Sequence, residues 1–348
     1  MIYTIKWYAS DAGRGRIMIR IEDGFTNKLN GFNFVDLFCG IGGFHLALKS
    51  FGAKCVFASD IDAGACNIYD RNFGLKPAGD IVSIKAEQIP KHDILCGGFP
   101  CQSFSVSGKG EGFEDKRNGG LFFEIIKIAK IHKPKIIFLE NVANLEKHDG
   151  GKSIKRIEAE LRAINYEPVY KVLNAIDFGI PQVRKRLYIV AIRSDIKKGD
   201  FIFPSPRILN TNLEALLENN VSENYNVNKE YILRDQWATI AEKTKKPYIR
   251  IGEIGKGRQG ERIYSPKGCA VTLSSSGGGI GGRTGMYLIR GKNRVLTPRE
   301  CARLMGFPDH FQIADTKHQS HKQFGNSVVV DVLQEIIKQI IIYVNKGE

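Results

Sequence analysis

The chain lacks the marks of a secreted or membrane protein. No N-terminal apolar run has the make-up of a signal peptide, and the most apolar stretch, Val328 to Val344, is broken by Asp331, Gln334, Glu335, Lys338 and Gln339. That stretch reads as an amphipathic core helix. The seven cysteines, at 39, 55, 66, 96, 101, 269 and 301, are odd in number and lack CxxC spacing. Neither a disulfide framework nor a zinc site is expected, no metal is called for, and a reducing cytoplasm is the natural compartment. Internal repeats and low-complexity tracts are missing as well. Acidic residues are in deficit: 37 Asp and Glu against 51 Lys and Arg leave a formal net charge of +14. Such a balance favours an anionic partner, nucleic acid or an acidic membrane surface, and charge alone does not choose between them.

What is present is enough for a large core: 348 residues, 43% of them hydrophobic. From Phe34 to about Ile192, short apolar runs alternate with longer amphipathic segments, the pattern of βαβ units. Strands are expected at Phe34 to Phe38, Lys54 to Ser59, Asp93 to Cys96, Lys135 to Leu139 and Arg186 to Ile192. Helical spacing covers Leu46 to Ser50, Gly119 to His132 and Ser153 to Ile164. A doubly wound, mostly parallel α/β sheet follows. The pattern breaks between Phe201 and Arg294, where a second, smaller, β-rich domain is expected. From Lys243 to Arg294 twelve Lys or Arg face two Asp or Glu, interleaved with Tyr248, Tyr264 and Tyr287. Such a segment suits a nucleic-acid surface, although a solvated basic face without a partner has the same composition. Thr297-Pro298-Arg299-Glu300 then reads as a helix start.

Four constellations carry chemistry. In residues 34 to 44, FVDLFCGIGGF, an apolar strand runs into Gly40-Ile41-Gly42-Gly43 and a helix, so a ligand can approach the backbone where open parallel sheets bind ligands. A dinucleotide GxGxxG would need Gly at 45, where His45 stands; a tight structural turn is the other reading. Asp60 and Asp80 end the next two strand segments, where a carboxylate can accept hydrogen bonds from ribose, or simply cap a turn. In DILCGGFPCQSFS, residues 93 to 105, Cys101 follows a strand and opens a polar Gly-Ser loop, a place for a nucleophilic thiolate, whereas most lone cysteines are inert core residues. Glu140-Asn141-Val142 ends one strand and Gln182-Val183-Arg184-Lys185-Arg186 precedes another. Together they bring a thiol, a carboxyl and two guanidiniums toward one sheet edge.

These motifs, with Gly325-Asn326-Ser327, resemble in order and spacing those of DNA cytosine-5 methyltransferases, over roughly residues 18 to 348. GKGRQGERIYS at 255 to 265 and RECARLMGFPD at 299 to 309 extend the resemblance toward bacterial restriction-modification members. Departures are few: Cys39 stands where Ala is usual, Gly97 where Ala is frequent, Asp60 where Glu is commoner, and the Arg117-Asn118-Gly119-Gly120 turn is one residue longer. None removes a chemical group.

The resemblance implies a methyltransferase Rossmann-like fold and S-adenosylmethionine as methyl donor, bound by Asp36, Phe38, Gly40, Gly42, Gly43, Asp60, Ile61, Asp80, Ile81, Pro100, Leu121 and Asn326. It implies Cys101 adding to carbon 6 of cytosine, Glu140 acting at N3 with a pKa raised by burial against the base, and Arg184 and Arg186 holding the O2 side and phosphate or carboxylate partners. Ser107 and Gln259 are implied to fill the space left by a flipped-out base, and Arg262 to read guanine. The run at 256 to 262 resembles the recognition loop of a bacterial member whose site is GCGC, with the inner cytosine methylated, although Ser276 stands where that relative has a tyrosine. Residues 1 to 17 then form a flexible lead, 18 to 205 the catalytic domain, 206 to 296 the target-recognition domain and 297 to 348 a segment returning to the first. A monomer on double-stranded DNA, away from membranes, with a separately acting restriction endonuclease as counterpart, completes the expectation.

Three other classes fit worse. Methylation of an exocyclic nitrogen calls for an Asp/Ser/Asn-Pro-Pro-aromatic loop where Phe99-Pro100-Cys101-Gln102 stands. A tRNA-acting branch shares the catalytic motifs but not the 255 to 265 run, and an NAD-dependent oxidoreductase is opposed by His45.

Overall fold

The structure, a computed structural model, describes residues 24–100, 120–234, 236, 245–278 and 282–345. It contains two compact units. One runs from the start of the described chain to Asn174 and adds Lys185–Pro206 and the chain from Val332 onward; the other takes Ala175–Arg184 and Arg207–Asp331.

The first unit is built on β1 (Asn33–Leu37), β2 (Lys54–Ser59), β3 (Ile94–Gly98), β4 (Ile136–Val142), β5 (Tyr166–Asn174) and β6 (Lys185–Arg193), in the spatial order β2-β1-β3-β4-β6-β5. Strands β1 to β4 are parallel, and β6 runs antiparallel to both of its neighbours. The central strands are buried on both faces, which is why β4 reads as a continuous apolar run, Ile136 to Leu139, instead of an alternation. Helices α1 (Gly43–Ser50), α2 (Ala63–Phe73), α3 (Gly120–His132) and α4 (Lys152–Ala163) make the crossovers. Val35, Leu95, Ile137, Phe122, Ile125 and Ile157 belong to one buried cluster that joins sheet to helices. The C-terminal helix also serves this unit: Gln334 donates to Ser50 Oγ at 2.9 Å, and Tyr343 accepts the Lys198 N–H at 2.8 Å.

Five expected strands are present, and β5 is an addition. It carries Pro168, which removes a backbone donor and breaks the apolar alternation; a proline is tolerated because β5 lies at the sheet edge. Helix α2 was also unforeseen, since only Ala65, Ile68 and Tyr69 of its 11 residues are buried. Its ends explain it: Asp62 caps the Ala65 N–H at 3.0 Å, and Gly74 closes it in a left-handed conformation.

The second unit holds a five-stranded sheet in the order β11-β10-β9-β8-β7: β7 (Ile232–Leu233), β8 (Ile249–Glu253), β9 (Arg262–Ser265), β10 (Met286–Ile289) and β11 (Lys292–Arg294). Ile254, Ile263, Met286 and Val295 form its small apolar core. Helix α5 (Pro298–Leu304) starts as expected, with Thr297 as N-cap accepting the Glu300 N–H and Pro298 in the first turn. Helix α6 (Lys317–Asn326) follows, and α7 (Val330–Val344) leads back to the first unit.

The division differs from the expected one, because residues 297 to 331 and 175 to 184 group with Arg207 onward. Two buried cations supply the reason. Arg294 donates through Nη1 and Nη2 to Glu300, at 2.8 and 2.6 Å, tying β11 to α5. Arg184 ties its own segment to Leu273 and to the chain after α6.

Glu300, 0% exposed, also accepts the N–H groups of Thr297 and Glu218, each at 2.9 Å. Replacing it leaves a buried guanidinium without its counter-charge. Glu300→Ala is therefore expected to destabilise the protein by about 3 to 5 kcal/mol in urea unfolding, and a loss below about 1 kcal/mol would contradict this reading.

Candidate active site

The chain that leaves the carboxyl end of β1 is shaped by left-handed backbone. Phe38 (φ 54°), Gly40 (φ 53°) and Gly42 (φ 90°) turn the chain sharply between β1 and α1. At Gly42 a Cβ would fall 2.2 Å from the Phe73 ring, so both backbone and space demand glycine. Gly42 is also the N-cap of α1 and offers no side chain to it, so the positive end of the helix is left for an anionic or hydroxyl-rich group. Gly43 is the first residue of that helix and is buried.

Asp60 does not simply wait for a ligand. Its Oδ2 accepts the Gly40 N–H and its Oδ1 the Asp62 N–H, both at 2.8 Å, so it clamps the glycine loop while each oxygen retains a second lone pair. Burial raises its pKa above the usual carboxylate value. Ile61 beside it is 79% exposed, an apolar surface next to the loop. Asp80 caps the short turn Ile81–Ser83 through the Val82 N–H, at 3.0 Å, and is itself exposed. The Ile81 side chain is in the core, and Phe38 and Leu121 pack half-buried against the same cluster. Pro100 is exposed at the end of the described β3 segment.

Asp36, expected to touch the cofactor, is 0% exposed, and the Cys96 thiol and the Tyr69 hydroxyl approach its carboxyl at 3.9 and 3.5 Å. β1 is buried on both faces, and alternation sets Asp36 on the face opposite Val35 and Leu37. Tyr69 in turn lies 2.7 Å from Nδ1 of His45, whose ring stacks on Phe73 at 3.8 Å. Burial lowers the His45 pKa to about 3, so the imidazole is neutral. Burial, with Asp60 nearby, drives Asp36 well above its ordinary value. Asp36 thus supports the loop from below.

One strand pair away stands the acid. Glu140 is paired in register with Gly98 across β4 and β3, and its Oε1 lies 3.0 Å from Arg186 Nε. A Cβ on Gly98 would come within 3.3 Å of Glu140 Oε2, so the glycine leaves the carboxylate room over the end of β3. Arg186 is opposite Val142 in the β4–β6 ladder, which places its side chain beside Glu140. Asn141, quoted in the motif but given no role there, donates from Nδ2 to the Phe99 carbonyl at 2.9 Å.

The resemblance assigns Arg184, with Arg186, to the O2 side of the base and to phosphate or carboxylate partners. In the structure it is fully buried within the second unit, donating from Nη1 to Leu273 O (2.9 Å) and from Nη2 to Gly325 O and Ser327 O (3.0 and 2.6 Å). It precedes β6, so the alternation that orients Arg186 does not govern it. Asn326, at the end of α6, is exposed in that same unit. Cys101 and Ser107 lie outside the described residues.

The basic run forms a rigid turn in the second unit. Glu261 accepts the Arg258 N–H through Oε2 at 2.8 Å, while its carbonyl accepts the Ile254 N–H at 2.9 Å. Gln259 is exposed on that turn, and Arg262 opens β9 half-buried, with Nε donating to Gly257 O at 3.3 Å. The Ser276 hydroxyl lies 2.8 Å from Ser274 Oγ and accepts the Arg283 N–H at 3.1 Å, so it closes its own loop. Among the described residues no cluster of His, Cys, Asp and Glu is placed to hold a metal ion, and no helix is long and apolar enough to cross a membrane.

The sheet order β2-β1-β3-β4-β6-β5, with the glycine loop at the carboxyl end of β1, is that of a mixed α/β methyltransferase fold. The description "C-5 cytosine-specific DNA methylase" matches residues 32–342. The chain is 48% identical over 325 residues, covering 93% of it and 97% of the relative, to Type II methyltransferase M.HhaI of Haemophilus parahaemolyticus. It is 38% identical over 316 residues, 90% of it and 87% of the relative, to Type II methyltransferase M.DsaV of Dactylococcopsis salina. The crystal structure of S. pombe Dnmt2 methyltransferase shares the fold, with a TM-score of 0.70 at 22% identity over 89% of this chain and 98% of that one. The chain belongs to the C-5 cytosine-specific DNA methylase family and is a DNA methyltransferase of the type II restriction-modification kind.

The raised pKa of Asp36 fixes a pH dependence. An acid that holds its proton more tightly when folded stabilises fully below its unfolded value, about 4, and that contribution is lost as pH rises toward the folded value. Asp36→Asn removes the titration. Its Tm is expected to fall less than the parent's as pH rises from about 4 to 8, and parallel curves would contradict the assignment.

Proposed function

We propose that the protein transfers a methyl group from S-adenosylmethionine to carbon 5 of a cytosine swung out of duplex DNA. The observation that carries this reading is the Glu140–Arg186 pair beside Gly98, which lies three residues before Cys101 on the strand next to β1 and its glycine loop. The glycine loop suits the cofactor: bare glycine backbone and an uncapped helix start at Gly42, a carboxylate at Asp60 for ribose hydroxyls, and an exposed apolar face at Ile61 for the adenine. When bound, S-adenosylmethionine supplies an electrophilic methyl group.

Carbon 5 of cytosine is a weak nucleophile, and the chain's own residues must change that. The Cys101 thiolate adds to carbon 6, and Glu140 delivers or shares a proton at N3, so the electron pair collects on the C4–C5 side of the ring. Arg186 orients the Glu140 carboxyl and reaches the O2 edge. After carbon 5 has taken the methyl group, loss of its proton to solvent sends the electron pair back and expels the Cys101 thiolate, and N3 returns its proton to Glu140, restoring a neutral aromatic ring. Arg184 contributes by holding the Leu273 and Gly325–Ser327 segments, with Asn326 between them.

Flipping the base costs a few kcal/mol, which phosphate contacts from the basic segment offset, while Ser107 and Gln259 occupy the vacated space. On this reading the unit carrying β7 to β11 is the target-recognition region, and Arg262 bonds bidentately to guanine through its Nη groups. The site is a short GC-rich palindrome, GCGC, with the inner cytosine methylated. The protein works as a monomer in the cytoplasm, with a separate endonuclease cutting the same unmodified site.

Fluorine at carbon 5 blocks the proton loss that releases the enzyme. Duplex GCGC with 5-fluorocytosine at the inner position, incubated with cofactor, is expected to give an adduct that survives denaturation, and Cys101→Ala to give none. An adduct that persists in Cys101→Ala would overturn the mechanism.

A further inference from the structure

The last residue of β8, Glu253, is paired with Ile232 of β7 on one side and with Arg262 of β9 on the other. Residues directly opposite in an antiparallel pair share a face, so Glu253 and Arg262 lie on one side of the sheet. Arg250, three residues before Glu253, would point to the other side in a regular strand. The register shifts between Arg250 and Gly252, however, so that Arg250 is paired with Tyr264 and Glu253 with Arg262, two residues apart on β9. This bulge brings Arg250 and Glu253 to the same face.

One carboxylate then serves two guanidiniums with a third beside it. Glu253 Oε2 accepts from Arg250 Nη2, and its Oε1 accepts from Arg234 Nε and Nη2 at 3.3 and 3.0 Å. The backbone of Arg234 is itself tied to β8, its N–H donating to Ile251 O at 2.8 Å. Arg262, although opposite the acid, donates from Nε to the neutral Gly257 carbonyl at 3.3 Å. Gly257 in turn rests on the cluster: its φ is 65°, and a Cβ there would collide with Glu253 Oε2 and lie 2.8 Å from Arg250 Nη2. The Glu253 side chain is 14% exposed and that of Arg250 28%, so the cluster is screened less than ion pairs on the open surface.

We propose that Glu253 is a positioning residue for sequence discrimination: it holds Arg234 and Arg250, the cluster seats Gly257, and the Gly257 carbonyl aims Arg262 at its base. This rests on the assignment of Arg262 to guanine made above. An acid that merely decorated a DNA-facing surface would weaken binding to every sequence by opposing phosphate attraction. Glu253 instead favours the proper site, because its loss releases two guanidiniums to phosphates of any sequence and leaves the reading side chain without a fixed base.

The test measures Kd, at one salt concentration, for a labelled GCGC duplex and for a duplex of the same composition without that site, with Tm alongside. It compares the full-length parent with Glu253→Ala and Arg262→Ala. A bidentate guanine contact is worth about 10- to 100-fold in discrimination, and Glu253→Ala is expected to lower the ratio of the two affinities about 10-fold, the GCGC Kd rising while the other is unchanged or falls. Should Glu253→Ala fail to fold, Glu253→Gln, which keeps the shape without the charge that holds both arginines, is expected to lower the ratio by about threefold or more. A folded Glu253 variant whose ratio stays within about twofold of the parent's overturns the proposal even where its Tm falls, since a purely structural role moves Tm and not discrimination. An Arg262→Ala variant that keeps the parent's ratio, or a parent without preference for GCGC, overturns the assignment of Arg262 instead, and this inference with it.

Discussion

The parallel pairing of β3 with β4 is the constraint from which the site follows. It brings the end of the strand that leads to Cys101 level with Glu140, and the β4–β6 ladder then sets Arg186 against the carboxylate at 3.0 Å. Glu140 is buried and Arg186 half-buried, so the pair is screened less than one on the open surface and costs more to misplace. Gly98 completes the arrangement by what it lacks: without a side chain there, the carboxylate can lie over the end of β3.

A second clamp works along the same edge. Asp60 bonds Gly40 across from β2, and Asp36, Tyr69 and His45 fill the space under the loop with polar groups that satisfy one another away from solvent. Such a network is stiff because each member has few alternative partners. The glycine loop is therefore presented to a ligand from a fixed base, and the strand order places it at the switch point between β1 and β3, where doubly wound sheets bind nucleosides.

Much of this is legible in the sequence. The strand-to-glycine transition at residues 34 to 43 announces a ligand loop, since few other arrangements call for three glycines after a buried strand. Glu140 and Arg186 are legible singly, each at the end of an apolar run, and their pairing appears only in the β4–β6 ladder. The surroundings of Asp36 and Arg184 are not legible in the motifs, for related reasons. Which way a side chain points from a strand end depends on the register of that strand, and the motifs state only that the residue is there. Arg184 lies just outside β6 and serves three carbonyls of distant segments, a demand created by tertiary structure. Strand β5 and helix α2 escaped because Pro168 and a thin apolar face weaken their periodicity, while edge position and end caps stabilise them in the fold. Asn141 was visible only as a letter in a motif; its bond to Phe99 appears only in the fold.

The central claim is that this edge methylates carbon 5 of one particular cytosine. Bisulfite sequencing of duplex DNA treated with the protein and S-adenosylmethionine tests it most directly, because 5-methylcytosine resists conversion. The account predicts unconverted cytosine at the inner position of every GCGC, on both strands, and conversion elsewhere. Complete conversion of all cytosines, in DNA that has nevertheless taken up methyl groups, would contradict it.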